Sequence, residues 1–140
     1  MILNQISVFV ENKPGALSDI ATQLSEAGID FKAFTVADTA EFGVLRFIAD
    51  KPEEALALLR QDGRVAALTP VVAVRMKDEP GSLAKVLRLL SDNGVQVEYM
   101  YAFVAQGEGN AYVVLRVADA TGAAALLESS GFITSDSIIK

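Results

Sequence analysis

Residues 8–28 read VFVENKPGALSDIATQLSEAG, and residues 74–94 read VRMKDEPGSLAKVLRLLSDNG. Pro14, Gly15, Leu17, Leu24 and Gly28 recur as Pro80, Gly81, Leu83, Leu90 and Gly94, each 66 positions later. Further on, Arg46-Phe47-Ile48-Ala49-Asp50 answers Leu115-Arg116-Val117-Ala118-Asp119 at an offset of 69, which places three extra residues around Gly107-Glu108-Gly109-Asn110. A surface hairpin absorbs such an insertion cheaply. Ordered matches of this kind mark a duplication, and a duplicated chain must be read as two copies of one small unit. The copies are expected at residues 1–70 and 71–140.

Each copy reads strand–helix–strand–strand–helix–strand. In the first, Ile2, Ile6, Val8 and Val10 alternate with Gln5, Ser7 and Glu11, the period of a half-buried strand. Leu17, Ile20, Ala21 and Leu24 follow at helical spacing, and Gly28 supplies a left-handed C-cap. Strands near 29–36 and 43–49 flank a polar hairpin. Asp50-Lys51-Pro52-Glu53 then offers an acidic N-cap, a first-turn proline and a capping-box Glu for a helix to about Asp62. A fourth strand near 65–69 runs into Pro70. The second copy predicts strand 71–77, helix 82–93, strands 95–104 and 111–118, helix about 122–130 and a short strand 132–138.

This order predicts the α+β class: two ferredoxin-like βαββαβ domains, each an antiparallel sheet with both helices on one face. A domain of this size buries only about 60% of its unfolded surface, so it needs cover from elsewhere. Phe9 opposes Val8, and Phe34 opposes Ala33, which makes the strands apolar on both faces. The copies are therefore expected to pair with pseudo-twofold symmetry, with each other or with a second chain.

Composition limits the chemistry. Histidine and cysteine are both absent, which removes the commonest general base at neutral pH, the Ser-His and Cys-His pairs, thiolate metal sites and disulfides. Carboxylate-only or Lys-based chemistry survives, but no base–nucleophile pair is visible. Net charge is −6, and neither half carries the basic field that attracts phosphate backbones, so no nucleic acid is expected as partner. No apolar run approaches the roughly 18 residues of a membrane span, and the N-terminus lacks a signal-peptide pattern. No membrane association, a cytoplasmic location, no cofactor and no enzymatic activity are the expectations.

The first turn of each copy is the place to look for a ligand: Asn12-Lys13-Pro14-Gly15-Ala16-Leu17 and Asp78-Glu79-Pro80-Gly81-Ser82-Leu83. Proline fixes the chain before the helix, and glycine lets the backbone approach a ligand closely. The N–H groups of Gly15, Ala16 and Leu17 at a helix start attract a carboxylate. Asn12 or Asp78 can meet an amino group, so the pair of features suits a zwitterion. Pro-Gly at a strand-to-helix junction is also simply a good turn, and duplication alone does not separate the two readings.

A strand, then Asn or Asp two residues before Pro-Gly, Leu two residues after that Gly, a helix, and Gly28-Ile29 or Gly94-Val95 opening the next strand, resembles the ACT domain, twice over the whole chain. The stretch Val97-Glu98-Tyr99-Met100-Tyr101-Ala102-Phe103 resembles stand-alone tandem ACT proteins. The resemblance implies a regulatory fold that binds an amino acid between the first-turn loop of one copy and the second strand of its partner. Carried over by position, it implies ligand-facing roles for Asn12, Asp78, Asp30 and Gln96. Tyr99, Met100 and Tyr101 would line the pocket opposite the Asn12 loop, and Lys32 and Phe34 the one opposite Asp78. Serine-binding members carry a histidine two residues before the Asn, where this chain has Val10 and Met76. A free amino acid with an apolar or aromatic side chain is therefore favoured. A metabolic enzyme or regulator as downstream partner, and a homodimer, are further expectations. The alternative is a docking module that acts on a metabolic enzyme without a ligand of its own.

Other features carry bland readings. Tyr99, Tyr101 and Phe103 lie at strand spacing and suit a sheet core equally well. Glu53-Glu54 reads as helix-start charge. Gly107-x-Gly109 precedes no helix and is no phosphate loop.

Overall fold

A computed structural model describes residues 2–38, 41–104 and 109–134. The elements are β1 (Ile2–Glu11), α1 (Ala16–Glu26), β2 (Phe31–Asp38), β3 (Phe42–Ala49), α2 (Pro52–Gln61), β4 (Ala66–Lys77), α3 (Ser82–Asp92), β5 (Tyr99–Ala102), β6 (Asn110–Arg116) and α4 (Ala120–Ser129). The chain divides into two compact units, residues 4–69 and residues 1–3 with 70–140. The fourth strand expected at 65–69 and the strand expected at 71–77 are one strand, β4, running through Pro70. The expected strand 132–138 lies mostly outside the described residues; within them, Ile133 bridges Arg75 in antiparallel sense.

In the first unit β3 is flanked by β1 and β2, both antiparallel to it. Ile6, Val8 and Val10 of β1 and Leu45, Phe47 and Ala49 of β3 share one sheet face. Ala16, Ile20 and Leu24 of α1 and Ala55 and Leu59 of α2 close over that face, so both helices lie on one side. A bulge between Phe31 and Ala33 turns β2 by one residue. It puts Phe31 and Phe34 on the helix side together, and Phe31 meets Phe47 edge to face at 4.7 Å and Phe34 at 6.1 Å.

The second unit repeats the plan, with β6 between β4 and β5. Val72, Val74 and Met76 of β4, and Val113, Leu115 and Val117 on β6 and just past its end, pack against Val86 and Leu90 of α3 and Ala123 and Leu127 of α4. This core corrects the register of the repeat. Phe47 corresponds to Leu115 and Lys51 to Asp119, an offset of 68 rather than 69. The matching Ala-Asp dipeptides are out of step by one residue, which on a strand would exchange the two faces.

The corrected register explains the helix starts. Lys51, not Asp50, is the N-cap of α2, with no side-chain cap; Pro52 holds the first helical position. The Asp50 carboxylate instead accepts the N–H of Asp30 at 2.9 Å. Asp119 is the true N-cap of α4 and accepts the N–H of Gly122 at 3.0 Å. The capping box expected around Asp50 is thus replaced by a Pro-started, uncapped helix.

Candidate functional site

The turn between β1 and α1 is held by backbone bonds. Asn12 N–H donates to Glu41 O at 3.1 Å, Lys13 N–H to Glu11 O at 2.9 Å, and Ala16 N–H to Lys13 O at 3.3 Å. Gly15 is the N-cap of α1 with φ 90°, and Gly81 of α3 with φ 92°. A β-carbon built on either meets nothing within 4 Å. Glycine is required there by the left-handed backbone, not by close packing inside the protein. Ala16 N–H is also taken, and Ser82 N–H likewise goes to Glu79 O at 3.2 Å. Among the described residues the N–H groups of Gly15 and Leu17 find no acceptor, and Pro14 offers none.

Around this turn the first unit forms a graded trough. A hollow of about 60 Å³ is lined by Asn12, Lys13 and Leu17 together with Val36 and Asp38 from the end of β2. Leu17 and Val36 also border a larger hollow of about 240 Å³, completed by Ala21 of α1, Phe31 and Phe34 of β2, and Leu45 of β3. Its walls are nearly all carbon, and Phe34 is 52% exposed along it. One end therefore offers the Asn12 amide and the Asp38 carboxylate beside the start of α1; the other offers an open apolar wall. Lys13 is paired with Glu11 at 3.1 Å on the rim.

Asp38 and Val36 were not singled out by the sequence. The signal that could have found them is Gly43, whose antiparallel partner Asp38 must come back beside the first-turn loop. Asp30 and Lys32 form an ion pair at 3.1 Å at the opposite end of β2. From Lys32 to Asp38 is about 20 Å of extended strand, so within the first unit neither reaches the Asn12 loop.

In the second unit Asp78, Glu79, Pro80 and Gly81 are exposed, and Ser82 and Leu83 half-buried, at the matching turn. Asp78 N–H donates to Gly109 O at 2.8 Å. On β5, Tyr101 is buried, Tyr99 half-buried and Met100 exposed. Gln96 precedes β5 and lines a hollow of about 820 Å³ with Glu98 and Asp119. The corresponding place in the first unit holds Lys51, whose Nζ donates to Gly28 O at 3.3 Å. Among the described residues no cluster of three or more acidic side chains could hold a metal ion, and no helix is long and apolar enough to cross a membrane.

A family model described as an ACT domain pair matches residues 1–140. The chain belongs to the ACT domain family. A crystallised Bacteroides thetaiotaomicron protein is 32% identical to this ACT domain pair, with all of this chain and 97% of that one covered and a TM-score of 0.91. The ligand-free regulatory subunit of aspartate kinase from Thermus thermophilus has the same fold at 20% identity, covering 91% of this chain and 92% of that one with a TM-score of 0.67. The corresponding Thermus flavus subunit aligns at 19% identity over 93% and 95%, with a TM-score of 0.61. A search of the curated proteins finds no match. ACT domain pairs are typical of amino-acid-binding regulatory proteins, and no catalytic family is indicated.

Proposed function

We propose that this ACT domain pair is a non-catalytic, intracellular sensor of a free amino acid with an apolar or aromatic side chain. The reading rests on the graded trough of the first unit, where the helix start and Asp38 adjoin the Leu17–Phe34 hollow. The ligand's carboxylate takes the N–H groups of Gly15 and Leu17. Its ammonium meets Asp38 and the Asn12 amide, and its side chain lies against Leu17, Phe31 and Phe34. Occupation of the trough ties α1 to the edge strand β2, and the tightened unit is what a partner reads. By analogy with the Thermus subunits, that partner is a metabolic enzyme.

A second reading has one observation in its favour: Phe9 and Phe42 are 57% and 51% exposed and suit a protein surface more than a small ligand. Thermal melting with a panel of amino acids separates the two. Ligand at a hundredfold excess over its dissociation constant adds about 2.7 kcal/mol, on the order of 5–10 °C for a chain of this size. A shift confined to Phe, Leu, Ile, Val, Met or Tyr supports the sensor. If no amino acid moves the midpoint, the docking module is the better account.

A further inference from the structure

The duplication has left one pocket in two electrostatic forms. In the first unit a cavity of about 400 Å³ lies beside the start of α1 and the turn after α2, with Glu11, Lys13, Asp19, Asp62 and Arg64 around it. In the second unit a cavity of about 430 Å³ is lined by the corresponding positions of β4, α3 and the turn after α4. The acidic members change together: Glu11 becomes Lys77, Asp19 becomes Lys85, and Asp62 becomes Ser130. Phe9 becomes Arg75, Ala16 becomes Ser82, and Phe42 becomes Asn110.

Pairing changes as well. In the first unit Lys13 is paired with Glu11 at 3.1 Å, and Arg64 lies 3.3 Å from Asp62 without hydrogen-bond geometry. Both cations there are balanced from within. In the second unit Arg75, Lys77 and Lys85 line one cavity, and among the described residues none of them has a carboxylate within ion-pair distance. Among the described residues the single carboxylate on that wall is Glu79. Three cations without a carboxylate partner among the described residues, gathered on a chain of net charge −6, repel one another and gain from a counter-charge.

We infer that the second unit binds a small multivalent anion, a phosphorylated or polycarboxylate metabolite, between Arg75, Lys77 and Lys85. The cavity falls in the size range of small-molecule sites. The Arg75 fork suits two oxygens of one phosphate or carboxylate, and the lysines act as point charges. The Ser82 hydroxyl and the Asn110 amide add neutral donors on the same wall. Glu79 opposes the anion and sets a ceiling on affinity. The site uses neither Asn12 nor Asp38, so it stands or falls independently of the amino-acid reading.

The test is calorimetric titration of the full chain with pyrophosphate and, separately, with citrate, at low and at physiological salt. Saturable binding with a stoichiometry of one is expected, weakening as salt rises. Tighter pyrophosphate assigns a phosphorylated ligand, and tighter citrate a polycarboxylate. Lys85→Asp and Arg75→Gln should each weaken the preferred anion at least tenfold. Glu79→Gln should tighten it several-fold, a gain that misfolding cannot imitate. Asp19→Asn, at the position matching Lys85, should leave it unchanged. Absence of saturable binding for both anions would overturn the assignment. So would binding that ignores Lys85→Asp and Glu79→Gln.

Discussion

Asp119 Oδ1 and the N–H of Gly122 lie 3.0 Å apart, closing the first turn of α4 with a bond that α2 lacks. A β-carbon on Gly122 would stand 2.3 Å from Asp119 Oδ2, so the cap and the glycine go together. Asp119→Ala should cost about 1 kcal/mol in urea unfolding, the usual value of an N-cap. Gly122→Ala should change stability little, because displacing the cap offsets the roughly 1 kcal/mol that alanine gains in a helix. A loss above about 2 kcal/mol for Gly122→Ala would show that the Asp119 side chain has nowhere to go.

Gly15 and Gly81 hold left-handed backbones in open space. Gly15→Ala and Gly81→Ala should each cost about 1–2 kcal/mol, and Gly81→Asn less, since Asn tolerates this region better. A valine at position 81 is therefore a poor steric block for ligand: it strains the turn before it obstructs anything. Denaturant midpoints of the three variants decide whether backbone angle or packing fixes these glycines.

If the trough holds an amino acid, its charged contacts dominate. A ligand of about ten heavy atoms at roughly −0.7 kcal/mol each reaches the micromolar range at best. Losing one charge-assisted bond at about 1.5–3 kcal/mol costs ten- to a hundredfold. Asp38→Asn and Asn12→Ala should show such losses by calorimetry. Phe34→Ala should change which side chain is preferred while every ligand still binds. Unchanged affinity in both Asp38→Asn and Asn12→Ala would falsify the trough as the site.

Thr134 donates to the Glu128 carboxylate, and that bond holds its pKa below the usual 4.5. A depressed carboxylate pKa stabilises the fold above the unfolded value and ceases to do so as pH falls through the folded value. Thr134→Val should move the Glu128 titration back up toward 4.5, and the variant should be less stable than the parent above that pH, the two converging as pH falls through the parent's folded value. Side-chain carboxyl NMR shifts measure it directly.

Part of the fold was readable because Ile6, Val8 and Val10 of β1 and Ile20 and Leu24 of α1 enter the core as their spacing predicts, whereas Leu17 and Ala21 stay exposed, Gln5 is buried and Ile2 packs with the second core. The register of the second half was not, because Ala49-Asp50 and Ala118-Asp119 match as letters while serving different positions. Identity at two residues misled where the core pairing of Phe47 with Leu115 decides. At the site, the loop residues were legible from Pro-Gly, but Asp38 was not. Its relevance comes from β2 returning beside β1, a long-range contact with no local spacing. The charge reversal from Asp19 to Lys85 was present in the letters, yet its meaning needed the cavity that collects Arg75, Lys77 and Lys85.

The core alignment leaves two residues, not three, as the surplus of the second hairpin over the first. β6 takes its inward and outward faces from its pairing with β4 and β5, not from the length of the chain before it. Val113, Leu115 and Val117 therefore keep facing the core whether the hairpin gains an odd or an even number of residues. A library of insertions between Ala102 and Asn110 should accordingly stay soluble at odd and even lengths alike, whereas a single residue inserted within β6 should turn part of that core row outward and lower solubility.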